Sequence, residues 1–113
     1  MRIQSGQTVL LTGASGGLGA YMARALAKFE INLALTAYPG AILEDVRAEC
    51  EKLGARAKVF TLDLRDAAQR NQLIADVRKE FGPIDVLVNN AGVEFTSAYH
   101  DLTEENIHEI VAV

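Results

Sequence analysis

The 113-residue chain is long enough to form one domain with a hydrophobic core and too short to form two. Hydrophobic residues make up 50% of the sequence, charged residues make up 23%, and the net charge is −4. This composition excludes a disordered chain and argues against a nucleic-acid partner, because no basic stripe is present to neutralise phosphates. The single cysteine, Cys50, cannot form an intramolecular disulfide, and no segment reads as a signal peptide or a membrane span. We expect one cytoplasmic domain, residues 1–113, without a membrane partner.

The first half of the chain predicts two strand–helix units. Strands are expected at residues 8–11 and 32–37, and apolar residues recur at helical spacing after each of them. The apolar face expected for the first helix consists of Leu18, Met22, Ala25, Leu26 and Phe29. The face expected for the second helix consists of Ile42, Leu43, Val46, Cys50 and Leu53. On this face Cys50 is predicted to be a small buried core residue and not a nucleophile.

The second half continues the alternation. Strands are expected at residues 58–62 and 84–88, with a helix between them whose apolar face consists of Leu73, Ile74, Val77 and Phe81. A last helix is expected to begin near Thr103. The fourth strand is almost continuously apolar, which is typical of parallel strands covered on both faces. The pattern predicts an α/β fold, namely a truncated Rossmann-like, doubly wound parallel sheet with four strands in the order 3-2-1-4.

A glycine-rich turn joins the first strand to the first helix and reads Thr12-Gly13-Ala14-Ser15-Gly16-Gly17-Leu18-Gly19. A diphosphate can approach a helix N-terminus closely only where side chains are absent, and the free N–H groups and the helix dipole attract it there. Gly13 is predicted to allow the tight turn, Gly17 to leave room for phosphate, and Gly19 to let the helix pack close to the sheet. Because the glycines lie between a strand and a helix, we interpret them as a dinucleotide-binding turn and not as a simple chain reversal.

Three motifs together resemble those of the short-chain dehydrogenase/reductase family. The glycines have the spacing Gly-x-x-x-Gly-x-Gly, Asp63-Leu64 follows the third strand, and Asn89-Asn90-Ala91-Gly92 follows the fourth. The resemblance extends over nearly the whole chain. It implies an NAD(P)-binding portion of an oxidoreductase that acts on carbonyl or alcohol substrates.

The resemblance also implies roles by position. Ser15, Gly17 and Leu18 would contact the phosphates and the nicotinamide half of the cofactor. Asp63 and Leu64 would hold the adenine, and Asn90, Ala91 and Gly92 would line the ribose side. Asn89 is expected to pin its loop through hydrogen bonds from its side chain to the backbone. The predicted cofactor-binding residues are Gly13, Ser15, Gly16, Gly17, Leu18, Gly19, Tyr38, Asp63, Leu64, Asn90, Ala91 and Gly92.

The choice between NAD and NADP depends on the end of the second strand. NAD-binding folds place an acidic residue about 20 positions past the glycine turn, where it binds the ribose 2′-hydroxyl. Residues 36–39 read Thr-Ala-Tyr-Pro, so no carboxylate is present to repel a 2′-phosphate. No Arg or Lys is present there either, and Gly16 stands where many NADP-preferring relatives have a basic residue. We predict NADP in preference to NAD, with Tyr38 either stacking on the adenine or capping the strand end.

No catalytic residue and no metal site are predicted in this chain. The family uses a tyrosine as general acid or base, with a lysine four residues later that lowers its pKa and a serine upstream. None of Tyr21, Tyr38 and Tyr99 has a lysine at that spacing, and the family's catalytic residues would fall after Val113. His100 and His108 are expected to be solvated. We therefore expect the chain alone to be inactive.

Two other hypotheses about the function also fit the sequence, and the sequence makes a prediction about self-association. The chain could be a non-catalytic dinucleotide-binding or regulatory module, or a structural α/β unit whose ligand site is vestigial. An apolar fourth strand at the sheet edge is a template for pairing. The sequence therefore predicts a homo-oligomer, formed through that edge or through the last helix.

Overall fold

Strands and helices alternate along the part of the chain that the computed structural model describes, which is residues 2–15, 17–38 and 43–90. The elements in these ranges are β1 (Thr8–Leu11), α1 (Gly17–Ala27), β2 (Asn32–Ala37), α2 (Glu44–Lys52), β3 (Arg56–Thr61), α3 (Ala67–Phe81) and β4 (Val86–Val88). The helix predicted near Thr103 lies outside the described residues. No helix in these ranges is both long enough and apolar enough to cross a bilayer.

The four strands form one parallel sheet in the order β3-β2-β1-β4, which confirms the predicted fold class and strand order. β1 lies inside the sheet, with β2 on one side and β4 on the other. Because all the strands are parallel, their carboxyl ends meet at a single edge. The direction in which strands are added reverses between β1 and β4, and in open α/β sheets ligands bind at such a point.

Two strands begin at positions different from those predicted. β3 begins at Arg56 because this residue and Ala57 pair with the first two residues of β2. β4 is shorter than predicted and begins at Val86. The Asp85 carboxylate accepts a hydrogen bond from the Thr8 N–H at 2.8 Å. In a longer β4 a backbone carbonyl would accept this bond instead, so the strand does not extend further toward its N-terminus.

The helices cover both faces of the sheet. On one face, apolar side chains of β1 and β2 pack with residues of α1 and α2, among them Cys50, which is fully buried as predicted. On the other face, Leu10 and Ala34 pack with Leu73 and Val77 of α3, which confirms the centre of the predicted α3 face. The sheet is therefore covered on both sides, as in a doubly wound fold.

The predicted apolar face of α1 is wrong. Its buried residues are small ones: Gly19, Ala20, Ala23 and Ala27. Leu18 is 51% exposed and Phe29, which lies beyond the end of the helix, is 49% exposed. Met22 and Leu26 are only partly buried against the core, and Ala25 is exposed. Small side chains let a helix approach a sheet closely. The predicted face was chosen from the largest apolar side chains, and these do not lie on the face that is buried.

The predicted α2 face is partly wrong as well. Leu43, Val46 and Cys50 are buried as expected. Leu53 is 39% exposed, because the helix ends at Lys52 and the chain turns away there. Ile42 lies outside the described residues.

Candidate functional site

The glycine turn leaves β1 at the carboxyl edge of the sheet and is attached there to both neighbouring strands. The Ala14 N–H donates to the Thr36 carbonyl at 2.9 Å, and the Thr12 N–H donates to the Val88 carbonyl at 3.1 Å. Gly13 has a φ of 67°, in the left-handed region where a side chain is unfavourable. This agrees with the tight turn predicted at Gly13.

Gly19 lies where α1 packs close against the turn. A Cβ atom at this position would lie 1.9 Å from the Gly13 carbonyl oxygen and 2.9 Å from Nδ2 of Asn90. Any side chain would therefore force the helix away. The close approach predicted at Gly19 is present, although the group it contacts is the turn itself.

Gly17 has a different environment. A Cβ atom built on this residue would meet no heavy atom within 4 Å, so packing of the described residues does not explain a glycine there. Gly17 begins α1, whose first N–H groups have no acceptors within the helix and carry the positive end of its dipole. Leu18 and Ser15 are exposed beside it. The turn thus presents an open, electropositive helix N-terminus.

A hydrogen-bonded group joins the ends of β1 and β4. Oγ1 of Thr12 donates to Oδ1 of Asn89 at 3.0 Å and accepts the N–H of Asn90 at 3.0 Å. Nδ2 of Asn90 donates to the carbonyl oxygen of Gly13 at 3.0 Å. Asn89 therefore ties the end of β4 to the end of β1, and the partner is a side-chain hydroxyl where a backbone group was predicted. The side chain of Asn90, predicted for the cofactor, binds the glycine turn.

The ends of β2 and β3 are also held side by side, by a hydrogen bond of 3.1 Å from the Leu62 N–H to the Ala37 carbonyl. Just beyond it, Nε and Nη2 of Arg65 contact the two carboxylate oxygens of Asp63 at 3.1 and 3.0 Å. The guanidinium carbon lies 5.8 Å from the centroid of the Tyr38 ring. Tyr38 therefore has a cation beside it, which neither of its predicted roles included.

The pKa of the Asp63 carboxyl group lies below its ordinary value. The main cause is the hydrogen bond from the Arg65 side chain, followed by the bond from the Arg65 backbone N–H. Asp63 is therefore ionised at neutral pH, but its charge is balanced by Arg65.

The turn that carries Asp63 is tied to the start of α3. The Asp63 N–H donates to Oε1 of Gln69 at 2.9 Å, and the Asp66 carboxylate caps α3 by accepting the Ala68 N–H at 2.9 Å. The carbonyl of Leu64 accepts from Nη1 of Arg70 at 2.7 Å. These bonds give the predicted adenine-side residues a defined position.

Thr12 and Arg65 were not among the site residues predicted from the sequence. Thr12 could have been suspected as the polar residue that ends an apolar strand, and Arg65 as the cation two positions after Asp63. Gly16, Ala91 and Gly92 of the predicted site lie outside the described residues, as do Tyr99, His100 and His108. Within the described ranges, no three His, Cys, Asp or Glu side chains are grouped so as to hold a metal ion.

Comparison with known proteins gives a consistent result. Residues 7–113 match the protein-family model for short chain dehydrogenase. Ketoacyl reductase HetN of a Nostoc species is 36% identical over 110 residues, which are 97% of this chain and 38% of that protein.

Solved structures are similar over the same part of the fold. A metagenomic short-chain oxidoreductase in complex with NADP superimposes with a TM-score of 0.74 at 38% identity, over 80% of this chain and 41% of that one. An NADH-dependent reductase in complex with NAD gives a TM-score of 0.69 at 26% identity, over 75% and 36% of the two chains. The chain thus spans between 36% and 41% of the length of these three proteins.

Proposed function

Because this chain belongs to the short-chain dehydrogenase family, we propose that it forms the NAD(P)-binding domain, residues 1–113, of an oxidoreductase acting on a carbonyl or alcohol substrate. The bound nicotinamide supplies or accepts the hydride in such a reaction. The residues of this chain bind and orient the dinucleotide.

The contrast between Gly17 and Gly19 carries the proposal. Gly19 is required by the chain's own packing, whereas the space beside Gly17 is open. A diphosphate needs room of this kind at a helix N-terminus, where N–H groups and the dipole stabilise its charge. The glycine at position 17 thus has an explanation in a ligand that the fold itself does not supply.

The residues proposed to bind the dinucleotide belong to three segments of the chain. The glycine turn would take the phosphates and the nicotinamide half, the turn after β3 the adenine, and the segment after β4 the ribose side. These residues are Gly13, Ser15, Gly16, Gly17, Leu18, Gly19, Tyr38, Asp63, Leu64, Asn90, Ala91 and Gly92.

We assign no catalytic residue to the chain. None of its three tyrosines has a lysine four residues later. The proton-transferring group is proposed to lie in the larger part of the fold, which the relatives contain and this chain does not span.

NADP is the proposed cofactor. Residues 36–38 at the end of β2 carry no carboxylate, and the charge of Asp63 is balanced by Arg65. A 2′-phosphate would therefore meet little repulsion at this position.

We also propose a cytoplasmic location, in line with a single cysteine that is a buried free thiol. Self-association is proposed through the β4 edge or the segment that follows it. In the described sheet β4 pairs on one side only, with β1. Light scattering across a concentration series tests the assembly, and a constant monomer mass would refute it.

Titration with NADPH and NADH, followed by the fluorescence of the reduced nicotinamide, tests cofactor binding. We expect saturable binding that falls by about tenfold or more in Gly17→Asp, because a carboxylate would fill and charge the phosphate space. Thermal stability should be retained, since this position is open and an acidic side chain suits a helix N-terminus. The matched control is Ala25→Asp on the exposed side of the same helix, which should bind like the wild type. Absence of binding by the wild type would leave a structural α/β unit as the better description.

A further inference from the structure

A cation lies at the end of β2 although no Arg or Lys occurs at residues 36–39. It is Arg65, from the turn after β3. We propose that Arg65 selects NADP over NAD by exchanging the Asp63 carboxylate for the 2′-phosphate of the adenosine ribose. This inference rests on the proposed function, because it presupposes that the chain binds a nicotinamide dinucleotide.

The backbone places Arg65 at the correct edge. One hydrogen bond joins Ala14 of the glycine turn to Thr36, and another joins Leu62 to Ala37. The glycine turn, the end of β2 and the turn after β3 therefore stand side by side in that order. In dinucleotide-binding folds the ribose 2′ position faces the residue about 20 positions past the glycine turn, which here is the end of β2.

Tyr38 keeps the guanidinium at that place. The ring is partly exposed, and the guanidinium carbon of Arg65 lies 5.8 Å from its centroid, within the range of a cation–π contact. The contact turns a side chain from the turn after β3 toward the end of β2. Tyr38 is thus a positioning residue for Arg65.

The pairing of Arg65 with Asp63 can be exchanged at little cost. The Arg65 side chain is 80% exposed, and ion pairs between solvated side chains contribute little to stability. A phosphate dianion offers the same two-pronged acceptor geometry with more charge than a carboxylate. The ribose of NAD carries a neutral hydroxyl at this position. Because a hydroxyl does not compete with a carboxylate for the guanidinium, Arg65 stays paired with Asp63 when NAD binds.

Loss of Arg65 would have two effects on NADPH. It would remove the side chain that binds the 2′-phosphate. It would also leave the negative charge of Asp63 unbalanced next to that phosphate. NADH would experience neither effect. Selectivity, and not overall affinity, is therefore the quantity that Arg65 controls.

The test measures dissociation constants of NADPH and NADH on the 113-residue chain for the wild type, Arg65→Leu and Arg65→Lys. Arg65→Leu should weaken NADPH binding by about tenfold or more while NADH binding changes by less than about twofold. Arg65→Lys should give an intermediate loss, because an ammonium keeps the charge and loses the fork. Arg78→Leu, which removes the same charge from the far end of α3, serves as the control and should change neither constant.

Each other outcome overturns the inference. Equal weakening of NADPH and NADH would show that Arg65 supports the adenine or the turn and does not read the 2′ position. Unchanged affinity for both would show that it has no part in binding. If the wild type binds neither dinucleotide, the proposed function fails together with this inference. If the wild type and Arg65→Leu both bind NADH and NADPH with unchanged constants, only this inference fails and the proposed function stands.

Discussion

The side-chain amide of Asn90 donates to the carbonyl oxygen of Gly13 at 3.0 Å, joining positions 77 residues apart in the sequence. Gly19, in the first turn of α1, lies so close to the same carbonyl that a Cβ atom would not fit between them. The end of β4, the glycine turn and the start of α1 therefore meet at a single oxygen atom. The shape of the proposed phosphate site depends on this meeting point.

Replacement of Asn90 tests that dependence. Asn90→Ala should lower the free energy of unfolding by roughly 1–2 kcal/mol, because a largely buried donor to the Gly13 carbonyl is lost. Asn90→Asp should cost more, since a carboxylate oxygen would face the carbonyl oxygen without a donor between them. Urea unfolding measures both variants. An Asn90→Asp protein as stable as the wild type would contradict the role assigned to this bond.

The two glycines of the first α1 turn should respond in opposite ways to alanine. Gly19→Ala should destabilise the protein by about 1–3 kcal/mol or more, because its Cβ cannot coexist with the Gly13 carbonyl. Gly17→Ala should leave stability unchanged or raise it by about 0.5 kcal/mol, since the site is open and alanine favours helix. Thermal unfolding followed by circular dichroism compares them directly. Similar melting temperatures for the two variants would disprove the steric argument.

The hydroxyl of Thr36 offers a stability test inside the sheet. Thr36 is fully buried, and its Oγ1 has no hydrogen-bond partner within residues 2–15, 17–38 and 43–90. Thr36→Val keeps the shape and removes the unsatisfied oxygen, so it should stabilise the fold by roughly 1 kcal/mol or more.

A second buried threonine provides the control for this experiment. Oγ1 of Thr8 donates to the Phe81 carbonyl at 3.4 Å and accepts from Nδ2 of Asn32 at 3.3 Å. Thr8→Val should therefore destabilise the fold by about 1 kcal/mol. A loss of stability in Thr36→Val as large as that in Thr8→Val would mean that the Thr36 hydroxyl is hydrogen-bonded in solution.

The thiol of Cys50 gives a pH-dependent prediction. Burial raises its pKa from 9.0 to about 11, an effect that nearby Arg24 partly opposes and Glu49 reinforces. Between these two values the unfolded thiol loses its proton while the folded one keeps it, so this residue's contribution to stability should fall as pH rises from about 9 to about 11.

Two measurements check the behaviour of Cys50. At neutral pH a disulfide reagent should label Cys50 in the folded protein no faster than the protein opens to expose this thiol. The difference in unfolding free energy between the wild type and Cys50→Ala should shrink across the alkaline range, because other groups that titrate there cancel in the comparison. Rapid labelling of the native protein would contradict the assigned burial.

The layout of this fold follows from the amino-acid sequence. The bounds of β1 and β2 and the glycines at positions 13 and 19 could be predicted because they depend on local pattern: apolar runs, helical spacing and residues without a side chain. The strand order could be predicted because alternating strands and helices indicate a doubly wound fold, in which this order is common. The buried α3 face followed from the same periodicity. Apart from the strand order, these properties are carried by residues that are neighbours in the chain.

Which side chains meet depends on how the helices and strands pack in three dimensions. The small-residue face of α1 depends on how closely the helix approaches the sheet, a distance that periodicity does not contain. The Asn90–Gly13 bond and the place of Arg65 beside Tyr38 depend on parallel strand register, which brings together residues far apart in the chain. Sequence spacing carries no signal for contacts of this kind, because they are set by the packing of several elements at once.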